Sequence, residues 1–196
     1  MVIFMSSMCL SQSKNHVIFD QQQLIQNEFE FAYGKDWIFK WNLNHTPHRI
    51  FGKSISQYFD GSDSYQSELA ARDFIENHQS LFKITNDDME LWVNELHGKL
   101  RYLIFNQTYE NIPVWNARLD FRYRLNGDLV MIGHDAYPDL NVNINPTLDE
   151  EEAIFNAKMH IGFDETLEDE IVNMPELYVW VEKNETSIYH LSWLTE

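Results

Sequence analysis

The stretch "IPVWNARLDFRYRLNGDLVMIGH", residues 112–134, decides the fold class of this 196-residue chain. From Ala117 to Leu125 apolar side chains alternate with polar ones, which is typical of a half-buried antiparallel strand. Asn126-Gly127 follows and predicts a type I′ hairpin turn, because such a turn needs positive φ at both central residues. "DLVMIGH" then has the pattern of the partner strand. The stretch therefore predicts a β-hairpin within an antiparallel sheet.

Two further strands are predicted ahead of this hairpin. "MELWVNEL" (89–96) and "KLRYLIFNQT" (99–108) show the same period of two, and His97-Gly98 between them predicts a turn. A second tight turn is expected at Glu110-Asn111. Pro113 is expected at the start of the outgoing strand, since proline has no N–H to donate to a central ladder.

Two helices are predicted from apolar residues at helical spacing. The first is "SELAARDFIENHQSLF" (67–82), and His78 on its apolar face is expected to be a hydrogen-bonded packing residue. The second begins after Thr147, which forms a capping box with Glu150, and it ends at Gly162. Its expected buried stripe consists of Ala153, Ile154, Ala157 and Ile161.

The chain closes with a predicted hairpin, "ELYVWVEK" and "SIYHLSWL", whose turn is expected at Asn184-Glu185. The residues before 61 are aromatic-rich and are interpreted as short extended pieces and turns. The expected fold is α+β, with two small modules that each pack a helix on an antiparallel sheet, similar to the helix-plus-meander of cystatins. The expected divisions are a truncated signal peptide (1–11), an N-terminal leader (12–60), a first module (61–145) and a second module (146–196).

The net charge of −17 is unevenly distributed along the chain. Residues 1–60 are balanced, residues 61–145 carry −6, and residues 146–196 carry −11 from thirteen acidic and two basic side chains. This charge repels a phosphate backbone, so nucleic-acid binding is not expected. Two interpretations of the acidic residues stay open: a solvated surface, or a surface for a basic partner.

Cys9 is the single cysteine, which excludes an internal disulfide and a cysteine-based zinc site. Cys9 and Ser11 precede Gln12 in a pattern similar to the end of a secretory signal peptide, and the alternative is a buried N-terminal strand. Three sequons are compatible with export: Asn44, Asn106 and Asn184. No stretch reaches the roughly 18 apolar residues that span a bilayer, so no membrane span is expected.

The motifs of common catalytic sites do not occur in the sequence. It contains no His-Glu-x-x-His, no Gly-x-Ser-x-Gly, no P-loop and no Gly-x-Gly-x-x-Gly. His45 and His48 are the closest histidine pair, and no third metal ligand follows nearby. Asp87-Asp88 and the carboxylates of 149–152 occupy positions where loops and helix starts commonly have them. The chain is therefore predicted to be non-catalytic, without a catalytic, cofactor-binding or metal site and without a cofactor.

Six residues resemble the signature of the fungalysin/thermolysin propeptide (FTP) motif, and we call them the family motif: Gln107, Tyr109, Ile112, Pro113, Val114 and Gly127. "WNLNHTPHRIFGKSI" (41–55) is similar to the leader of that family. The predicted first helix is similar to the family's helix through Phe74, His78, Leu81 and Phe82. "TLDEEEAIFNAKMHIG" (147–162) and the two strands after it resemble the peptidase-propeptide module PepSY. The resemblance covers about residues 37–196.

The resemblance implies a non-catalytic prosegment of a secreted zinc metalloprotease, one that helps the protease domain to fold and inhibits it until cleavage. The expected partner is a zinc metalloprotease catalytic domain, in cis or in trans, and the expected location is secreted or extracytoplasmic. The sequence ends at Glu196 with no catalytic domain. Two alternatives stay open: a fragment of a longer precursor, or a stand-alone exported binding or inhibitor module of the same architecture.

The family motif itself is expected to be structural, and no residue is singled out as an inhibitory contact. Gln107 and Tyr109 flank the turn at 110–111 and are expected to hydrogen-bond across it. Trp115 is expected to add a large buried area beside them.

Overall fold

Helices are followed by runs of consecutive strands along the chain, which is the order typical of an α+β protein. The computed structural model describes residues 21–164, 166, 171–182 and 187–195. The helices in these ranges are α1 (21–33), α2 (Ser64–Asn77), α3 (Gln79–Phe82) and α4 (Glu150–Ile161). The strands are β1 (Ile38–Trp41), β2 (Pro47–Ser56), β3 (Met89–His97), β4 (Leu100–Tyr109), β5 (Ile112–Arg124), β6 (Asp128–His134), β7 (Glu176–Glu182) and β8 (Ile188–Leu194). The predicted α+β class is confirmed.

Six of the strands form a continuous antiparallel sheet in the order β1-β2-β6-β5-β4-β3. The hairpins β3–β4, β5–β6 and β7–β8 all form where the alternation predicts them. β7 joins the sheet through a parallel contact with the first residues of β5, in which Val114 lies opposite Val179. The sequence indicated antiparallel pairing throughout, so this parallel contact is a finding of the structure.

The main core lies between helices α1 to α3 and one face of the six-stranded sheet. Phe74 of α2, Phe82 of α3 and Phe121 of β5 are buried in it, with ring centroids 6.0–6.3 Å apart. A second, smaller cluster joins β5 and β7 to the segment that follows β6: Val114, Ala117, Tyr137, Val179 and Val181. The two clusters meet along β5, which contributes residues to both.

Helix α1 corrects the interpretation of the residues before 61 as short extended pieces and turns. Ile25 and Phe29, four residues apart, bury one stripe of α1 against the core, at 8% and 4% exposure. The Phe29 ring meets the rings of Trp37 and Phe39 edge-on, at 5.2 and 5.5 Å. The i, i+4 spacing of the apolar residues is the helical signal that was missed. Residues 21–60 thus contribute α1, β1 and β2 to the same sheet and core as α2.

The turn geometry at the two ends of β5 differs from the prediction. Glu110 and Asn111 both have positive φ, 50° and 66°, so the predicted tight turn at this position is confirmed and it is the type I′ turn. At the other end Asn126 has a negative φ, and the Gly127 N–H donates to the Arg124 carbonyl at 3.0 Å. The type I′ turn predicted at Asn126-Gly127 is therefore wrong. The loop has three residues instead, with Gly127 (φ 79°) in the left-handed position that such loops require.

Helix α4 begins two residues later than predicted. Asp149 is its N-cap and accepts the Glu152 N–H at 2.9 Å, while the Glu152 carboxylate accepts the Asp149 N–H at 3.1 Å. The capping box predicted for Thr147 and Glu150 is therefore wrong, because Asp149 and Glu152 have the same spacing and better N-cap chemistry. Gly162 ends the helix with φ 69°, as predicted.

The buried stripe predicted for α4 is also corrected. Ala153 is buried, but Ile161 is 72% exposed, and Ile154 and Ala157 are only half-buried. Helix α4 thus lies at the margin of the fold, with most of its apolar side chains toward solvent.

Two predictions fall on residues outside the described ranges: the signal peptide with Cys9, and the turn at Asn184-Glu185. None of the helices in the described part of the chain combines the length and the apolar character needed to cross a membrane.

Candidate functional site

The family motif is divided between the two ends of β5. Five of its residues surround the β4–β5 turn, whereas Gly127 lies in the β5–β6 turn. β5 has 13 residues, and a strand rises ~3.3 Å per residue, so the two groups are separated by roughly 40 Å of strand. The six residues therefore do not form one binding site.

A wide bulge in β5 lies at the centre of the larger group. The ladder between β4 and β5 is interrupted at Gln107, which alone lies opposite four residues of β5, Val114–Ala117. Asn116 within the bulge has φ 56°, a left-handed conformation that redirects the strand. Val114 leaves β4 at this point and reaches Val179 of β7. We call this region, with Gln107, Val114–Ala117 and Val179, the joint.

Gln107 fills the gap that the bulge opens. Its side chain is buried, at 3% exposure. Nε2 donates to the Tyr137 carbonyl and Oε1 accepts the Tyr137 N–H, both at 2.8 Å. The side-chain amide thus pairs with Tyr137 in the way that a neighbouring strand would. The predicted hydrogen bond of Gln107 across the 110–111 turn is wrong, because the bulge leaves this amide facing a segment 30 residues later in the chain.

The other motif residues at this end support the joint by packing. Tyr109 and Ile112 lie against the second hydrophobic cluster. Pro113 is the second residue of β5, opposite Thr108, at the start of the outgoing strand where proline was expected. The motif residues around the turn thus hold β5, β7 and the Tyr137 segment together.

Trp115, next to the family motif, contacts β7 on the opposite face of the joint. Its ring stacks on Trp180 at 6.0 Å and meets Tyr178 edge-on at 5.5 Å. Trp115 is half-buried, while Trp180 remains 46% exposed. The aromatic partners of Trp115 lie more than 60 residues away in sequence, so no local pattern could have identified them.

Gly127 lies beyond the far end of β5, where the backbone of Phe59 comes so close that a side chain would not fit. A Cβ at this position would lie 2.4 Å from the Phe59 carbonyl oxygen, closer than any side chain tolerates. Its positive φ adds a second reason for glycine. Gly127 therefore fixes the β5–β6 turn against the loop that precedes α2.

The buried Arg101 also holds the loop that precedes α2. Arg101 is 5% exposed; its Nε donates to the Gly61 carbonyl at 2.7 Å, and a second guanidinium nitrogen donates to the Ser62 carbonyl. A third bond reaches Asn94 Oδ1 at 2.8 Å. The Ser62 hydroxyl and amide lower the pKa of Asp60, with a smaller contribution from Arg101. This network is structural, because the buried Arg101 donates from all three of its nitrogens to the protein's own backbone and side chains.

His134 at the end of β6 is a neutral, buried histidine. Nε2 donates to the Phe82 carbonyl at 2.8 Å, and Nδ1 accepts the Ala136 N–H at 3.2 Å. Burial lowers the pKa of His134 to about 4. No pattern in the sequence indicates this role, since a single histidine at a strand end is not distinctive.

His78 is a hydrogen-bonded packing residue, as predicted. Its Nδ1 donates to the Phe74 carbonyl at 2.7 Å, so Nε2 accepts the Tyr33 hydroxyl at 2.6 Å. Burial lowers the pKa of His78. Tyr33 belongs to α1, so this bond ties α1 to α2.

The histidine pair in the β1–β2 region does not form a metal centre with its neighbours. His48 Nδ1 lies 2.6 Å from Asp135 Oδ1, and Arg49 donates to the other oxygen of Asp135 at 3.0 Å. No group of three or more histidine, cysteine, aspartate or glutamate side chains within the described ranges could hold a metal ion. That the chain is non-catalytic stays a prediction.

No family model matches this chain, and no curated protein is similar to it in sequence. Among solved structures, the Bacillus megaterium YpeB C-terminal domain is similar with a TM-score of 0.39 and 11% identity. The match covers 78% of this chain and 62% of that one, so the chain spans less than two thirds of that structure's length.

Proposed function

We propose that this protein is the prosegment of a secreted zinc metalloprotease and that it acts as an intramolecular chaperone and inhibitor of the catalytic domain. The observation that carries the proposal is the family motif in its order along the chain. The motif follows a helix within the meander, and a second helix and a hairpin come after it, which is the order that the resemblance implies.

The joint supports the proposal by giving the motif a physical role. A prosegment that guides folding must present its two parts in a fixed relative position, because a preformed surface stabilises the folded partner only by binding it better than the unfolded one. Gln107 and Val114 connect β4 and β5 to the Tyr137 segment and to β7. The motif then positions the interaction surface and is not itself the inhibitory contact.

The acidic second part suits a basic region of the catalytic domain. Residues 146–196 carry a net charge of −11, and opposite charge on a partner favours association in a way that salt weakens. While both domains share one chain, the effective concentration is in the millimolar range, so modest contacts are sufficient before cleavage. After cleavage the same contacts fail on dilution.

The direct test adds the purified chain to a mature thermolysin-like protease, and separately to the denatured protease during refolding. We expect inhibition that weakens as salt rises, and a higher refolding yield. The control is a variant with Gln107→Leu, which should lose both effects together because the joint no longer fixes the two parts. Absence of both inhibition and refolding gain with the unmodified chain would contradict the proposal.

A stand-alone exported binding module is the second candidate, because the acidic surface also suits a partner on a separate chain. The reading frame after Glu196 distinguishes the two. Several hundred further codons that encode His-Glu-x-x-His support the prosegment, whereas a stop codon directly after Glu196 supports the separate module.

A further inference from the structure

β8 has an unpaired edge in the part of the chain that the structure describes. Along its seven residues it pairs with β7 on one side, from Ile188 to Leu194, and with no described strand on the other. The N–H and C=O groups along such an edge are available to an added strand.

A groove of about 610 Å³ runs along this edge. Five consecutive residues of β8, Tyr189–Trp193, line it. Successive side chains of a strand point to opposite faces, so a groove that touches all five reaches the edge of β8. Leu177 of β7 also lines the groove, which therefore extends from this edge over one face of the β7–β8 hairpin. Its volume falls within the ~300–1,000 Å³ that is usual for ligand clefts.

The facing wall of the groove is the segment 141–148, which has no helix or strand of its own. Exposed asparagines at Asn141, Asn143 and Asn145 supply donors and acceptors along this wall. The Trp193 Nε1 donates to the Leu148 carbonyl at 3.0 Å and connects the two walls there. The groove is therefore bounded by a polar wall on one side and by an unpaired strand edge on the other.

Apolar side chains form the floor. Leu177 of β7, Ala153 of α4 and Val142 line the groove and are buried or half-buried. An extended segment laid along β8 would place alternate side chains on this floor and the others toward solvent.

The charge around the groove selects for a basic segment. The residues that line the groove include His190 and no carboxylate. Four carboxylates follow one another at Asp149–Glu152, between the lining residues Leu148 and Ala153. The described residues of β7 and β8 add Glu176 and Glu182, of which Glu182 lies 3.4 Å from His190, and they contain no lysine or arginine. An occupant with lysine or arginine at its solvent-facing positions is attracted, and an acidic one is repelled.

From these observations we propose that the groove binds an extended, lysine- or arginine-bearing segment of a partner protein, which adds a strand to the free edge of β8. Backbone hydrogen bonds to β8 supply affinity, and the alternating apolar side chains supply register. The inference does not depend on the partner being a protease, so its test needs no protease activity.

The test uses a synthetic peptide of alternating valine and lysine, about nine residues long so that it spans β8. Amide hydrogen exchange of the full chain is followed by NMR with and without the peptide. Alternate amides of Ile188–Leu194 should exchange at least ~10-fold more slowly with the peptide bound. Strand β3 (Met89–His97), the edge of the six-stranded sheet, is the internal control and should not change.

Two matched probes separate strand addition from charge attraction alone. The same peptide with every backbone nitrogen methylated keeps its charge but loses the hydrogen-bond donors of both its edges, and it should give no protection of β8. Replacing its lysines by glutamates should abolish binding. Equal protection of β3 and β8, no protection of either, or protection by the methylated peptide would overturn the proposal.

A variant of the chain gives an independent measurement. Asn141→Lys places a positive charge on the groove wall and should weaken peptide binding about fivefold through like-charge repulsion. Asn126→Lys makes the same change in the exposed β5–β6 turn, outside the groove, and is the control. If both variants bind the peptide equally well, the peptide does not occupy the groove.

Discussion

Gly127→Ala is expected to destabilise the fold far more than the same substitution at Gly98, although both glycines have positive φ. The φ angles are 79° and 63°, so both alanines meet the same left-handed backbone strain. A Cβ at Gly127 lies 2.4 Å from the Phe59 carbonyl oxygen, whereas a Cβ at Gly98 has no heavy atom within 4 Å. Comparing the two variants therefore separates the free-energy cost of backbone strain from the cost of the steric clash with Phe59.

The two contributions have different sizes. A left-handed residue other than glycine costs about 1–2 kcal/mol, and the entropy that alanine removes from the unfolded chain offsets part of this. Gly98→Ala should therefore lower the free energy of unfolding by about 1 kcal/mol. At Gly127 the Phe59 carbonyl belongs to the backbone and cannot rotate away, so the loop must shift, at a further cost of roughly 2 kcal/mol.

Urea denaturation followed by circular dichroism measures both variants. We expect Gly127→Ala to lower the free energy of unfolding by about 3 kcal/mol. In thermal unfolding, the Tm of this variant should lie about 4–8 °C below that of Gly98→Ala for a chain of this length. Equal losses in the two variants would refute the reasoning, because the close approach of Phe59 would then have no energetic consequence.

Three further predictions concern buried polar groups. Gln107→Leu removes the two buried hydrogen bonds between the Gln107 amide and the Tyr137 backbone, and it should lower the free energy of unfolding in urea by about 3 kcal/mol. A loss below ~1 kcal/mol would show that the amide pairing is dispensable. His134 is neutral in the fold with a pKa of about 4, against 6.5 as its ordinary value. The unfolded chain therefore binds the extra proton first, and stability should be complete above pH 6.5 and fall by about 3 kcal/mol as the pH drops toward 4. Denaturation midpoints across this range check the trend, which should flatten in a His134→Gln variant, apart from a residual contribution of the same sign from His78. Tyr123→Phe should keep or raise stability by ~1 kcal/mol, since the buried Tyr123 hydroxyl has no hydrogen-bond partner in the described structure; a clear loss in thermal unfolding would indicate that the hydroxyl is satisfied in solution.

The joint makes the family motif testable apart from any protease. Gln107 and Val114 act on the relative position of β5, β7 and the Tyr137 segment, so their replacement should disturb the second hydrophobic cluster before the first. Hydrogen exchange resolves this order, because local opening reports the stability of each part separately.

Several elements follow directly from local sequence. The alternation around Phe121 predicted β5 and its partner β6. The helical spacing of Phe74 and Leu81 predicted one helix over 67–82, which the structure divides at His78 into α2 and α3. Gly162 ends α4 in the left-handed conformation that glycine favours. These predictions depend on residues within a few positions of one another, where periodicity and backbone preference carry the information.

The errors share a different cause. Helix α1 was missed because its apolar residues include the exposed Leu24 and Phe31 and so do not form a clear stripe with Ile25 and Phe29. The helix forms by packing on a core assembled from distant elements. The type I′ turn was assigned to Asn126-Gly127 because the dipeptide favours it. The approach of Phe59 instead selects a three-residue loop with Gly127 at its end.

The sequence by itself determined the α+β class, most of the strands, the end of α4 at Gly162 and the acidic character of the second part, because each depends on local pattern or composition. Only the tertiary structure decided that Gln107 pairs with Tyr137 and that β5 bends at Asn116 to meet β7. It also decided that one edge of β8 has no partner strand among the described residues and lies beside a groove. These features bring together residues 30 to 65 positions apart. Which distant segments meet is set by how the whole chain buries its apolar surface, and no short stretch of sequence contains that information.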